Sequence, residues 1–175
     1  MAFDGKRVII TAGAGGIGRE ITKLFVEAGA KVFICDIDEQ ALERTLSSYD
    51  NVSGIRVDVS DSDQFQSFFK KADQYLGGLD IMINNAGTAG PTASIEDISL
   101  EEWNACVNIN LTSAFIGTQQ SIPRIKESDN EGGSIINLSS AAGKFGFPLR
   151  SPYSSAKWAI VGLTRTTALE VGRYG

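Results

Sequence analysis

The fold is decided by a short strand and the glycine-rich turn after it, residues 7–18: Arg7-Val8-Ile9-Ile10-Thr11-Ala12-Gly13-Ala14-Gly15-Gly16-Ile17-Gly18. The run 7–10 is apolar and β-branched, which is typical of a buried strand. After the turn, apolar residues recur at helical spacing from Ile21 to Ala28, and Gly29 suits the end of a helix. The segment therefore predicts a strand, a tight turn and an amphipathic helix.

The same alternation of strand and helix continues along the chain. Further strands are predicted at Lys31–Cys35, Ile55–Val57, Leu79–Ile83 and Ser134–Leu138. Further helices are predicted at Asp38–Ser47, from a cap at Ser60 or Asp61 through Ala72, at Leu100 to about Ile122, bent or split, and at Pro152–Val171. Strands that are apolar on both faces and alternate with helices form a covered parallel sheet. Because crossovers are right-handed, we expect a doubly wound, Rossmann-like α/β fold in a single domain over residues 1–175.

Composition restricts the classes of partner. The 175 residues are 42% hydrophobic and 21% charged, with a net charge of −5. This charge opposes binding to nucleic acid and to anionic membranes, and no apolar run is long enough for a membrane span. Residues Met1–Lys6 contain no apolar signal region, and Cys35 and Cys106 have no motif spacing. Reduced core thiols and a cytoplasmic location are therefore the expectation.

The absence of histidine restricts the chemistry. The sequence contains none, so neither a Ser-His-Asp nor a Cys-His nucleophile system can form within this chain. Two isolated cysteines cannot build a zinc site, and we expect no metal. Acid–base chemistry must therefore come from a tyrosine, lysine, cysteine or carboxylate.

The glycine turn has the spacing of a dinucleotide-binding motif. Gly13, Gly15 and Gly18 form G-x-G-x-x-G between a strand and a helix. A pyrophosphate binds to such a turn because side chains are absent and the helix start offers free amides. The residues predicted to bind the cofactor here are Ala12, Gly13, Gly15, Gly16, Ile17 and Gly18. The alternative is a glycine-rich turn without a ligand.

Asp36 is the acidic partner of this turn. It lies 18 residues beyond Gly18, at the end of the second strand, where a carboxylate accepts hydrogen bonds from an adenosine ribose. A carboxylate there repels a 2′-phosphate, and no arginine or lysine follows Asp36 directly. NAD is therefore predicted over NADP. The alternative is that Asp36 only caps a helix.

Tyr153 and Lys157 form the pattern Y-x-x-x-K. Residues i and i+4 share one face of a helix, so the lysine can stabilise the phenolate of the tyrosine. The pair then supplies acid–base chemistry without histidine. A surface pair is the alternative when the pattern stands alone.

Further motifs accompany it in order along the chain. They are Asp58-Val59, Asn84-Asn85-Ala86-Gly87, Trp103 with Asn110, and Ser140, which lies 13 residues before Tyr153. Together with the glycine turn, these motifs resemble the short-chain dehydrogenase/reductase family over essentially the whole chain.

The resemblance implies roles for these residues. Tyr153 is the expected acid–base residue, Lys157 binds the nicotinamide ribose, Ser140 orients the substrate oxygen, and Asn110 completes a proton relay through water. Cofactor contacts are implied for Asp58, Val59, Asn85, Ala86, Gly87, Tyr153 and Lys157. The alternatives are that Asn84 and Asn85 only tie strands together and that Ser139 and Ser140 are only turn residues.

The implied activity is an NAD-dependent oxidoreductase that interconverts a secondary alcohol and a carbonyl. The implied partners are a small-molecule substrate and other copies of the chain, in a homo-oligomer packed through the helices at about 100–122 and 152–172. Two places are open for Trp158, Ile160 and Leu163: this interface or the core of the chain. A non-catalytic NAD-binding relative is the alternative. An NAD-using epimerase or dehydratase of a related branch ranks lower because its glycine spacing usually differs.

The sequence departs from the family pattern at two places. Ala12 stands where the family usually has glycine, and a positive φ there costs about 1 kcal/mol or more. The family normally continues beyond the position of Gly175 into a further strand and a substrate lid, so an exposed edge of the fifth strand is expected.

The loop Lys144–Arg150 lies between Ser140 and Tyr153, so it is expected to border the substrate pocket. The segment Thr88–Pro91 is a second candidate border of that pocket. Arg150 is either a carboxylate-binding residue or a solvated loop arginine.

Overall fold

The computed structural model describes residues 2–128 and 132–175. In these ranges the strands are β1 Arg7–Thr11, β2 Lys31–Asp36, β3 Val52–Arg56, β4 Ile81–Asn84 and β5 Ser134–Asn137. They form one parallel sheet in the order β3-β2-β1-β4-β5. The chain changes direction across the sheet between β1 and β4, which confirms the predicted Rossmann-like α/β fold.

Helices connect and cover the strands. They are α1 Gly16–Glu27, α2 Glu39–Leu46, α3 Ser62–Leu76, α4 Leu100–Val107, α5 Ser113–Lys126 and α6 Ser151–Val171, with short 3₁₀ turns at Ile95–Asp97, Ala141–Gly143 and Gly172–Tyr174. Asp38 caps α2 by accepting a bond from Ala41 N (3.0 Å), and Asp61 caps α3. Outside residues 1 and 129–131, the chain has no helix with the length and apolar character that crossing a membrane requires.

The largest difference from the predicted elements is in the third strand. It begins at Val52 rather than Ile55, because Ser53 and Gly54 pair through their backbones with β2 although neither is apolar. The long helix after Leu100 is split, as one of the two predicted forms, and the break between α4 and α5 is a π-helical turn at Asn108–Thr112.

The core lies on both faces of the sheet, as the apolar strands require. Val8 and Ile10 of β1 pack under α1 and α2, whereas Ile9 faces α3 on the opposite side. Three fully buried phenylalanines of α3 fill that second layer: Phe65, Phe68 and Phe69. A rigid sheet results, and its carboxyl edge presents the turns that carry the predicted site.

β5 lies at one edge of the sheet, as the sequence predicts. Ile136 is 47% exposed there. Beside it, Ile125, Ile135 and Ala168 help to line a groove of about 240 Å³ between β5, α5 and α6.

Candidate active site

The glycine turn is held against the end of β4 by Asn85. The Nδ2 atom of Asn85 donates to Thr11 O (3.0 Å) and Ala12 O (3.1 Å). In return, Thr11 Oγ1 accepts bonds from Asn85 N (3.0 Å) and Ala86 N (2.9 Å). Asn85 therefore ties β1 to β4, as one of the two sequence interpretations proposed.

Ala12 adopts the left-handed backbone conformation at this point, with φ of 50°. An alanine in this region is unfavourable by about 1–2 kcal/mol because its Cβ crowds the carbonyl oxygen. The bond from Asn85 Nδ2 to Ala12 O contributes to holding this conformation. The strain expected at the departure from the family pattern is therefore present, and the turn keeps its shape.

The three glycines of the motif have different surroundings. A Cβ on Gly18 would lie 1.9 Å from Ala12 O, and one on Gly13 would lie 2.7 Å from a methyl group of Ile34. Both positions thus require glycine for close packing. A Cβ on Gly15 would meet no atom within 4 Å. Gly15 precedes α1 as its N-cap residue and supplies no side-chain hydrogen bond, so open space borders the free amides of the first turn.

Asp36 ends β2 beside this turn. Its Oδ2 accepts a bond from Ala14 N (3.0 Å), and its Oδ1 accepts one from Asp38 N (3.1 Å). The cap of α2 is Asp38, so the interpretation of Asp36 as only a helix cap is wrong. Each carboxylate oxygen keeps a lone pair for a further donor.

A cleft of about 190 Å³ opens along the carboxyl ends of the strands. Its walls come from β1, β2 and the segments after β3 and β4: Ala12, Cys35, Asp36, Ile37, Val57, Asp58, Val59, Ala86, Gly87, Thr88 and Ile109. Complete burial raises the pKa of the Cys35 thiol to about 12, so this sulfur stays protonated and unreactive at neutral pH.

Tyr153 and Lys157 lie one turn apart near the start of α6. Lys157 Nζ is 5.6 Å from the centroid of the Tyr153 ring and donates to Leu138 O (2.8 Å). Lys157 is only 5% exposed. Burial lowers the pKa of Lys157 below its ordinary value. The pair therefore joins a buried ammonium group to a partly exposed phenol ring.

Two side-chain hydrogen bonds hold the turn after Ser140 against α6. Ser139 Oγ donates to Lys157 O (2.8 Å), and Ser154 Oγ donates to Ala142 O (2.8 Å). A Cβ on Gly143 would lie 2.6 Å from Lys157 O, so the turn packs directly on the helix backbone. Ser140 itself caps this 3₁₀ turn by accepting a bond from Ala142 N (3.2 Å).

Asn110 lies in the π-helical turn between α4 and α5 and is 1% exposed. Its Nδ2 donates to Thr88 O (2.9 Å) and Cys106 O (2.9 Å), and its Oδ1 accepts a bond from Thr88 N (3.3 Å). A Cβ on Gly87 would lie 2.9 Å from Asn110 Oδ1 and 3.5 Å from Lys157 Nζ. Gly87 therefore marks the point where Asn110 and Lys157 approach each other.

The predicted site residues thus form two groups on one edge of the sheet. The turn 12–18 lies at one end with Asp36, Asp58 and Val59. The predicted catalytic residues lie at the other end, and segment 85–87 lies between the two groups. These catalytic residues are Asn110, Ser140, Tyr153 and Lys157. Thr88, in a segment expected to border the substrate pocket, lies in the cleft wall. Ile109 also lines the cleft and was not predicted, although its position directly before Asn110 was an available signal.

Comparison with known proteins covers nearly the whole chain. Residues 6–175 match the family model described as short chain dehydrogenase. The chain belongs to the short-chain dehydrogenase family. Its five-stranded parallel sheet with flanking helices is consistent with that assignment.

Curated relatives share about a third of its residues. It is 35% identical to a trans-4-hydroxycyclohexanecarboxylate dehydrogenase of Sinomonas cyclohexanicum, over 97% of this chain and 68% of the relative. It is 34% identical to the 3-oxoacyl-[acyl-carrier-protein] reductase FabG of Thermotoga maritima, over 98% and 70%. It is 33% identical to a short chain dehydrogenase/reductase, dpchG, of Colletotrichum higginsianum, over 98% and 65%. The chain spans about two thirds of the length of these relatives.

The surroundings of Gly18 and Gly15 predict losses of stability of different size when each is replaced by alanine. We expect Gly18→Ala to lower the free energy of unfolding by about 2 kcal/mol or more, because the new methyl group collides with the Ala12 carbonyl. Gly15→Ala, its matched control, has open space and should cost at most about 1 kcal/mol, the typical effect of an alanine at a helix N-cap. Urea unfolding measures both, and equal losses would contradict the packing described.

The burial of Lys157 predicts a pH dependence of stability. Because the folded chain binds its proton more weakly than the unfolded chain, the unfolded state holds more protons at pH values just below the ordinary pKa of 10.5. The stability of wild type relative to Lys157→Met should therefore rise with pH in that window. Urea unfolding from about pH 8 to 10 tests this, with Lys157→Leu as a second apolar replacement. A flat or falling difference would contradict it.

Proposed function

We propose that this chain is an NAD-dependent oxidoreductase that interconverts a secondary alcohol and a carbonyl, with Tyr153 as the acid–base residue. The observation that carries the proposal is the buried Lys157 ammonium beside the Tyr153 ring, on a helix clamped to the Ser140 turn. A buried cation next to a phenol favours the phenolate form that proton transfer requires.

The cofactor end of the site fits a dinucleotide. The open space at Gly15 and the uncapped amides of α1 suit a pyrophosphate, and the lone pairs of Asp36 suit ribose hydroxyls. The family uses nicotinamide cofactors, and we infer NAD rather than NADP from the charge of Asp36. Residues 37–40, Ile-Asp-Glu-Gln, supply no cation for a 2′-phosphate.

The catalytic end assigns one task to each side chain. NAD supplies the hydride acceptor or donor when bound. Tyr153 Oη gives a proton to the substrate oxygen in reduction and removes it in oxidation. The Ser140 hydroxyl orients that oxygen. Lys157 Nζ donates one hydrogen bond to Leu138 O, so two of its N–H groups remain for the ribose hydroxyls.

Asn110 is assigned the solvent end of the proton relay. Its Oδ1 lies next to Gly87, on the side where Lys157 Nζ approaches. A water bonded to that oxygen would link Lys157 to solvent. The buried amide also fixes Thr88, so the same residue holds one wall of the cleft.

The names of the relatives support this type of reaction, since they describe dehydrogenases of hydroxyl groups and a reductase of oxoacyl groups. We further propose a homo-oligomer, supported by the exposed Leu100 and Phe115 on α4 and α5. Trp158 is also exposed, whereas Ile160 belongs to the core. The two buried free thiols support a reducing, cytoplasmic compartment.

A second candidate is a relative that binds NAD without turnover. The cofactor end of the site favours it, because the open turn at Gly15 and the Asp36 carboxylate suit a dinucleotide whether or not Tyr153 transfers a proton. NADH binding without oxidation by any ketone or aldehyde of a broad panel would support this candidate.

The role of Asp36 predicts a change in cofactor preference. We expect Asp36→Ala to weaken NADH binding about tenfold and to reduce the preference for NADH over NADPH, because the ribose acceptor and the repulsion of the phosphate are both lost. Asp38→Ala removes the same charge two residues later and should leave the preference unchanged. Fluorescence titrations with both cofactors decide the matter, and an unaltered preference in Asp36→Ala refutes the role.

The acid–base role of Tyr153 predicts a separation of binding from turnover. Tyr153→Phe should keep NADH affinity within about twofold and lower the turnover number at least about 100-fold, because only the hydroxyl is removed. Tyr174→Phe, at an exposed tyrosine outside the cleft, is the control and should keep both. Stopped-flow NADH oxidation measures the loss. Full activity of Tyr153→Phe would require another acid–base residue.

A further inference from the structure

Arg150 lies where the loop after Ser140 enters α6, three residues before Tyr153. The function proposed above gives it no role. Its Nη1 donates to Ala89 O (2.9 Å) and Gly90 O (3.3 Å) in the segment that follows β4. The guanidinium is therefore fixed between two segments that border the site and is not free in solvent.

The backbone before Arg150 is strained. Leu149 has a φ of 62°, which is unfavourable for a branched side chain. Its carbonyl accepts a bond from Ala93 N (3.2 Å), and this bond ties the loop to the same segment that holds the guanidinium. Strained residues persist where the surroundings hold them, and they cluster at ligand sites. The Leu149 conformation and its bond to Ala93 therefore fix the backbone from which the Arg150 side chain extends.

Arg150 has no carboxylate partner within the described ranges 2–128 and 132–175. In the same ranges, Arg7 pairs with Asp80 (3.0 Å) and Arg124 pairs with Asp73 (2.7 Å). Acidic residues are abundant, since the chain contains 21 of them and a net charge of −5. The Nε and Nη2 atoms of Arg150 also meet no protein acceptor among the described residues. One edge of the planar guanidinium therefore stays available to a ligand.

The charge of Arg150 acts near the catalytic lysine. Burial raises the pKa of the Cys106 thiol, and a hydrogen bond from Asn110 and the charges of Lys157 and Arg150 oppose that effect. Both cations thus lie close enough to influence the same buried side chain. An anion that entered this region would experience two positive charges in a protein that is otherwise acidic.

The loop beside Arg150 is apolar and open. Phe145, Phe147 and Leu149 are 68%, 55% and 50% exposed, and they lie between Ser140 and Arg150 along the chain. Large apolar side chains that remain in water near a reactive site favour a ligand that covers them. The chemistry next to Arg150 therefore suits an apolar body that carries an anionic group.

We propose that Arg150 determines substrate specificity by binding a carboxylate through Nε and Nη2, so that the substrate is an apolar oxo or hydroxy acid. The two N–H groups on one edge of a guanidinium match the two oxygens of a carboxylate. Nη1 stays on the Ala89 and Gly90 carbonyls and orients the fork. The proposal rests on the alcohol–carbonyl reaction proposed above and names the class of its substrate.

Matched substrates test it in the protein of this sequence. The probes are 5-oxohexanoate and 7-oxooctanoate, each paired with its methyl ester, which keeps the ketone and removes the charge. Initial rates of NADH oxidation are compared for wild type, Arg150→Met and Arg150→Lys. Lys144→Met is the control, because it removes an equal charge from an exposed position of the same loop. Calorimetric titration of acid and ester onto the NADH-loaded protein runs in parallel.

Wild type is expected to prefer acids over esters by about 10- to 100-fold in kcat/KM, mainly through KM, as a charge-assisted pair provides. Arg150→Met loses most of this preference, Arg150→Lys keeps part of it, and Lys144→Met keeps it. Equal use of acid and ester by wild type overturns the proposal. An equal loss for both probes in Arg150→Met also overturns it, because Arg150 would then only bridge two loops.

The binding data separate this proposal from the reaction itself. If no probe is reduced, the alcohol–carbonyl reaction fails for these ketones, and binding still decides the role of Arg150. Acid binding that Arg150→Met abolishes supports carboxylate recognition. Undetectable acid binding, or binding that Arg150→Met leaves unchanged, contradicts it.

Discussion

The hydrogen bonds between Asn85 and the end of β1 are the interaction on which the rest of the site depends. They join the turn that starts at Ala12 to the segment after β4, and both segments border the same cleft. Without them, the left-handed Ala12 would lose the bond to its carbonyl, and the close contact of Gly18 with that carbonyl would open. A packing constraint of the sheet thus also sets the shape of the glycine turn.

The opposite end of the cleft is built by a second set of backbone contacts. Ser139 and Gly143 hold the turn after β5 against the Lys157 carbonyl, so the Ser140 turn packs directly on α6. The Lys157 side chain is buried, and its Nζ donates a hydrogen bond to the Leu138 carbonyl. The unfavourable burial of an ammonium group is typical of a functional site, because only a partner from outside the chain would satisfy its remaining donors.

Much of this architecture follows from short-range patterns in the sequence. The glycines at 13–18, the acidic Asp36 and the helical spacing of Tyr153 and Lys157 predict the sheet and the two ends of the cleft, because each pattern reflects one local geometry. The extra residue of the π-helical turn at Asn108–Thr112 left no such pattern, since its hydrogen bonds depend on packing between distant segments.

Tertiary contacts also decided details that the pattern concealed. The early start of β3 at Val52 depends on pairing with β2, and the polar and glycine residues there interrupt the apolar signal. The roles of Ser139 and Gly143 depend on the approach of α6, which lies far along the chain.

We propose that the carboxyl edge of this sheet is an NAD site governed by Asp36. A titration of the wild-type chain with NADH and NADPH tests this, observed as energy transfer from Trp103 and Trp158 to the reduced nicotinamide. We expect saturable NADH binding and a much weaker response to NADPH. Equal binding of the two cofactors, or tighter binding of NADPH, would contradict the role of Asp36.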